Sequence, residues 1–171
     1  VLELLEAFHL LRQGGRDDLH LLLVGGVHPS ERDQETGPEL RARVARLGLE
    51  AHVTLPGHLR PVAPAVSVMD VLALPSHREG LGNVLLEAGA LGKPVVGAAC
   101  RGIVSAIREG ETGLLSPVGD APALAAALGR IVSDPALARR LGDAGRRRAL
   151  RLGRDEWMRT VHGVYQRVLD R

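Results

Sequence analysis

The segment Ser76-His77-Arg78-Glu79-Gly80-Leu81-Gly82-Asn83-Val84-Leu85-Leu86-Glu87 gathers the residue types in this chain best suited to chemistry. Gly80 and Gly82 bracket a loop, and the apolar spacing after it predicts a helix from Asn83. Free backbone N–H groups at such a helix start, together with the helix dipole, suit an anion such as phosphate. Glu79 falls in the loop and Glu87 just over one turn into the helix. A carboxylate there can accept two hydrogen bonds from a ribose diol. Taken alone, Glu87 reads as a solvated helix-face carboxylate; the glycine loop and Glu79 beside it favour the binding reading.

Two further segments end strand-like runs. Gly25-Gly26 follows His20 to Val24, and paired glycines either admit a ligand close to the backbone or simply turn the chain. Pro56-Gly57-His58 follows a second run, where His58 reads as a contact to a planar base or an anionic oxygen, or as a solvated loop histidine. Other chemistries are disfavoured. No strand leads into a full G-x-G-x-x-G, because Leu85 stands where the third glycine belongs. Lys93 follows a helix instead of opening one, so there is no phosphate loop of the Walker type. His28, His58 and His77 have no metal-ligand spacing, so no metal is expected.

The elements that must hold these residues alternate in period. Val1, Leu4, Leu5, Phe8 and Leu11 recur at helical spacing up to Gly14-Gly15. Strands are expected at 19–24, 52–55, 71–74 and 95–98, with a weaker one at 113–115. Between them the pattern predicts helices around Leu40 to Leu47, Pro64 to Met69, Asn83 to Leu91 and Ile103 to Arg108. Three helices are expected to close the chain, near 121–132, 136–150 and 155–169, the last packing by Trp157, Val161, Val164 and Val168. Strands alternating with helices imply an α/β domain with a doubly wound parallel sheet. No linker, repeat or low-complexity tract divides residues 1–171, which read as one domain. The chain opens inside a helix without an N-cap, where such a lobe ordinarily opens with a strand, and so reads as truncated at its N-terminus.

Composition narrows the classes. The chain has 171 residues, 45% hydrophobic and 25% charged, the balance of one globular domain or one lobe of a larger enzyme. No apolar run reaches the roughly 18 residues a spanning helix needs, and no signal-peptide layout is present. The single Cys100 excludes a disulfide framework. These features predict a cytoplasmic protein. Twenty-two basic residues against twenty acidic leave a formal charge of +2, and aromatic residues are nearly absent, so no nucleic-acid partner is expected. The arginines from Arg139 to Arg154 read as a solvated helix face.

Ser76 to Val96, SHREGLGNVLLEAGALGKPVV, resembles the donor-binding signature of retaining glycosyltransferases of family 4, the glycosyl transferases group 1. Glu79 and Glu87 match the signature's spaced glutamates, and Gly92, Pro94, Val95 and Val96 match its continuation. Gly110-Glu111-Thr112-Gly113-Leu114-Leu115, then Val118-Gly119-Asp120 and Leu124, resemble the turn that follows. The resemblance implies the C-terminal, Rossmann-like lobe of a GT-B enzyme, binding a UDP-sugar or GDP-sugar and requiring no other cofactor. It implies that Glu79 lies beside the donor sugar at the reaction centre. It implies that Gly80, Leu81, Gly82 and Asn83 give backbone contacts to sugar and phosphates, and that Glu87 holds the ribose. His58 and Leu59 would flank the base, with Gly25 and Gly26 near the nucleotide.

The resemblance has gaps. The family's basic G-R-L-x-x-x-K-G segment would end just before Val1, and the acceptor-binding N-terminal lobe is missing. Where the family often has G-G-x-x-E, this chain has Arg101-Gly102-Ile103-Val104-Ser105, with Ser105 at the acidic position. That variant resembles lipid-linked and exopolysaccharide enzymes of bacterial envelopes, which work at the inner face of the membrane and make peripheral contact with it. The implied chemistry is metal-free departure of a nucleotide diphosphate, and the fragment alone is expected to transfer nothing. Two other readings stay open: another GT-B enzyme, such as a nucleotide-sugar epimerase or sugar phosphorylase, and a non-catalytic α/β module. No lysine stands where a phosphorylase would anchor its cofactor.

Overall fold

A computed structural model describes residues 1–25, 36–153, 158–159, 161–162 and 165–166. All observed strand pairs are parallel. Strands β1 (Leu21–Val24) and β2 (Val53–Gly57) form one ladder, with Leu21 opposite Val53. Strands β3 (Leu72–Leu74), β4 (Val95–Ala98) and β5 (Leu114–Ser116) form a second, with Leu72 opposite Val95 and Val96 opposite Leu114. Among the described residues no ladder joins β1 to β3, so the expected sheet is present as two parallel groups. The two nevertheless share a core: Leu21 and Leu23 pack against the same apolar cluster as Val71 and Ala73.

The helices, in chain order, are α1 (Leu2–Gln13), α2 (Thr36–Arg46), α3 (Ala63–Ser67), α4 (Asn83–Ala90), α5 (Ile103–Ala106), α6 (Ala121–Ser133) and α7 (Pro135–Arg151). They cover both faces of the β3–β5 group, as consecutive residues of β4 make plain. Val96 joins a cluster built from α1, α6 and α7, including Leu4, Leu124, Ile131 and Leu141. Its neighbour Val95 joins the opposite cluster with Val66, Leu85, Ala88 and Ile103 from α3, α4 and α5. A strand buried on both sides is apolar at every position, which is why Val95-Val96-Gly97-Ala98 has no polar residue. A third cluster, Leu5, Phe8, Val44 and Leu49, ties α1 and α2 to the first ladder.

Element boundaries moved for local reasons. The expected strand at 52–55 starts at Val53, because His52 closes a 3₁₀ turn (Glu50–His52) by donating its N–H to the Leu49 carbonyl at 2.9 Å. The strand then runs through Pro56 to Gly57, and Pro56 needs no ladder donor on a strand paired on one side. Of the expected last helix, residues 158–159, 161–162 and 165–166 are helical where described, and Val161 is half-buried. Trp157, Val164 and Val168 lie outside the described residues, as does Gly26.

The arginines of α7 divide by role. Arg139, Arg146, Arg147 and Arg151 face solvent as expected. Arg148 turns inward instead and donates to the Ser105 carbonyl at 2.8 Å and the Ala106 carbonyl at 3.2 Å, closing the end of α5. Arg140 donates to the Gly110 carbonyl at 3.0 Å. Helix α7 also sits backbone to backbone on α4 and the turn after it. A Cβ at Gly142 would come within 2.1 Å of the Gly92 carbonyl oxygen, and one at Gly89 within 3.2 Å of the Gly145 carbonyl oxygen.

Candidate functional site

The carboxyl end of β3 runs through Pro75 and Ser76 into the loop before α4. Gly82 caps this helix in the left-handed region at φ 65°, which a side chain rarely adopts. A Cβ there would also meet Leu85 at 3.0 Å and Leu74 at 3.2 Å. Gly80 differs: a Cβ would meet nothing within 4 Å, so the fold itself does not demand glycine at that position.

The start of α4 has no side-chain cap. By contrast, Asp120 accepts from the Ala123 N–H at 2.8 Å to cap α6, and Asp134 accepts from Ala136 and Leu137, each at 3.0 Å, to cap α7. The first N–H groups of a helix need external partners. At α6 and α7 an aspartate supplies them, whereas at α4, as at α1, α3 and α5, no side chain does.

The two glutamates have different surroundings. Glu79 is half-buried, and its Oε1 accepts from the Ser76 hydroxyl at 2.9 Å. Its peptide rests on the segment after β4: a Cβ at Gly102 would lie 2.2 Å from the Glu79 carbonyl oxygen and 2.7 Å from the Gly80 carbonyl carbon. Glu87 is exposed, and its carboxylate has no hydrogen-bond or ion-pair partner among the described residues. Leu81 and Asn83 are exposed beside them. His77 is bonded to Glu3 in the first turn of α1, which ties the start of that helix to the loop.

A second group lies at the carboxyl ends of β1 and β2. Gly25 donates its N–H to the Gly57 carbonyl at 3.0 Å, which brings Gly25 beside Gly57-His58. His58 is exposed and accepts from Arg60 Nε at 2.8 Å, and Leu59 is half-buried. Among the described residues no hydrogen bond links this group to the β3–α4 loop. Glu3, Ser76 and Gly102 were not singled out from the sequence. Ser76 had a visible signal, a hydroxyl three residues before Glu79, and Gly102 stood at the second glycine of the G-G-x-x-E segment, where nothing pointed to contact with Glu79.

Ser105 is exposed on α5 and donates to the Arg101 carbonyl at 3.3 Å. No group of three or more His, Cys, Asp or Glu side chains is placed to hold a metal ion among the described residues. No helix of those residues is long and apolar enough to cross a membrane.

Residues 1–134 match the family described as glycosyl transferases group 1. The chain belongs to that family. It is 36% identical over 159 residues to a D-inositol 3-phosphate glycosyltransferase of Acidothermus cellulolyticus, covering 91% of this chain and 35% of the relative. It is 36% identical over 113 residues to the lipopolysaccharide core biosynthesis glycosyltransferase LpsE of Rhizobium meliloti, covering 66% and 33%. Among solved structures it is similar to Anabaena HepE in complex with UDP, with a TM-score of 0.79 and 26% identity, covering 86% of this chain and 39% of that one. The chain thus spans about a third of the length of the curated relatives it matches. The expected Rossmann-like lobe of a GT-B glycosyltransferase is the fold observed.

Proposed function

We propose that this chain is the donor-binding lobe of a retaining glycosyltransferase that moves a sugar from a nucleotide diphosphate to a glycan or lipid-linked acceptor. The observation that carries this reading is the uncapped start of α4 behind Gly82, with Glu79 held in the loop and Glu87 exposed without a partner among the described residues. The diphosphate takes the free N–H groups of α4, where the helix dipole favours negative charge. Gly80 leaves space that no described residue fills, so sugar or phosphate can approach the backbone there. Leu81, Gly82 and Asn83 complete that contact. Glu87 accepts both ribose hydroxyls, and His58 and Leu59 flank the base, with Gly25 close to the nucleotide.

As the glycosidic bond breaks, negative charge grows on the departing diphosphate. Preorganised amide donors stabilise that charge without reorganising. Glu79 orients the sugar hydroxyls or supports the oxocarbenium-like centre, and the reading needs no group beyond the nucleotide sugar. HepE was crystallised with UDP and with UDP-glucose, which supports a uridine nucleotide over a guanosine one. The name of LpsE supports an acceptor in envelope polysaccharide synthesis. That acceptor is held by a second lobe, at the cytoplasmic face of the membrane.

Calorimetric titration of the full-length protein with UDP, UDP-glucose and GDP tests the donor site. Both uridine nucleotides are expected to bind, GDP more weakly; heat from none of them contradicts the reading. Proton NMR of the sugar first released from UDP-glucose tests retention, with the α-anomer expected and the β-anomer contradicting it.

A further inference from the structure

Besides the His77–Glu3 contact, the loop that carries Glu79 is held at two points on Glu79 itself that the proposed donor contacts do not include. The first is the hydrogen bond from the Ser76 hydroxyl to Glu79 Oε1, 2.9 Å long and half-buried. A glutamate on an exposed loop has several rotatable bonds, and fixing one carboxylate oxygen removes most of that freedom. The other oxygen then points in a defined direction, still free to accept from a substrate hydroxyl.

The second point is Gly102. Its backbone angles, φ −72° and ψ −40°, are ordinary right-handed helical values that any residue adopts. Glycine is therefore not required there by conformation. It is required by space, because a Cβ would lie 2.2 Å from the Glu79 carbonyl oxygen. Gly102 is buried, and Ile103 beside it is fully enclosed in the core, so the seat itself cannot retreat. Any relief must come from the Glu79–Gly80 peptide, which would move by about 1 Å to restore ordinary contact. Arg78 and Gly80 on either side of Glu79 are exposed, so beyond the His77–Glu3 contact little else restrains the loop.

We infer that Ser76 and Gly102 are the positioning residues for Glu79, one fixing its carboxylate and the other seating its peptide. The inference rests on the donor-binding reading above. In that reading neither residue is a donor contact, and both act on turnover through Glu79. Misplacing a reacting group by about 1 Å can cost on the order of a hundredfold in rate. Losing one hydrogen bond to a charged group corresponds to roughly tenfold or more.

The test uses the full-length enzyme with UDP-glucose, comparing Ser76→Ala, Ser76→Thr and Gly102→Ala by kcat, donor KM and thermal melt. Ser76→Ala is expected to lower kcat by roughly tenfold with KM and the melt near wild type, and Ser76→Thr, which keeps the hydroxyl, to recover most of it. Gly102→Ala is expected to lower kcat per folded molecule by about a hundredfold. Wild-type turnover in Ser76→Ala, or no recovery in Ser76→Thr, overturns the role of Ser76. A Gly102→Ala protein that loses activity only in proportion to its unfolded fraction overturns the role of Gly102. Should that variant not fold, the Ser76 pair decides alone. A wild-type enzyme that binds no nucleotide sugar removes the donor-site reading itself; a wild-type enzyme that turns over and is indifferent to these changes removes only this inference.

Discussion

Glu79 and Glu87 stand eight positions apart in one motif, yet the fold gives them opposite circumstances. Glu79 is half-buried and already bonded within the protein, while Glu87 is exposed on α4 with no partner for its carboxylate among the described residues. The consequence is a separable pair of phenotypes in the full-length enzyme. Replacing Glu79 with alanine should lower turnover more than nucleotide affinity, because the proposed reading puts its contacts at the sugar; steady-state kinetics beside a UDP titration checks this. The reverse ranking would exchange the two roles. The motif itself was legible because it consists of residue types at fixed spacing. The contact between Gly102 and Glu79 was not legible, because it depends on a peptide that folding brings against Gly102 from another loop.

At the scale of elements, the site depends on how α4 is held. One side of α4 packs on α7 through glycines, and the loop ahead of it packs on the segment before α5. Gly142→Ala should therefore destabilise the protein by about 1–3 kcal/mol, as overpacking against the backbone of the Gly92 turn. Leu141→Ala, one residue earlier and fully buried in the other cluster, should cost roughly 2–5 kcal/mol through the cavity it leaves. Chemical denaturation of both variants measures these costs, and a Gly142→Ala protein as stable as wild type would mean that α7 can shift without strain. The strands and most helices were legible, since apolar runs and turn residues mark them directly. The 3₁₀ turn at Glu50–His52 was not, because three residues carry no period. The inward role of Arg148 was equally hidden, since an arginine among arginines gives no sign that it alone reaches the carbonyls ending α5.

For the whole molecule, the telling fact is proportion: a chain that covers about a third of its curated relatives carries the whole Ser76 to Val96 motif. In the proposed reading, its two parallel strand groups and their helices form the binding face for one substrate. The chain on its own should bind UDP at least tenfold more weakly than the full-length enzyme and show no transfer, because binding contacts shared between two lobes are lost together. Equal affinity of lobe and full-length enzyme would place the whole nucleotide site on this chain. The central claim is that Glu87 is a ribose ligand and not a surface carboxylate. The measurement that reaches it most directly is titration of UDP into the full-length enzyme and two variants, Glu87→Ala and Asp143→Ala, the latter removing an equal charge from exposed α7. Two charge-assisted hydrogen bonds, each worth roughly 1.5–3 kcal/mol, set the expectation that Glu87→Ala weakens UDP binding by tenfold or more. Asp143→Ala should bind as wild type does, and both should melt near the wild-type temperature. Unchanged affinity in Glu87→Ala, or equal losses in the two variants, would contradict the account.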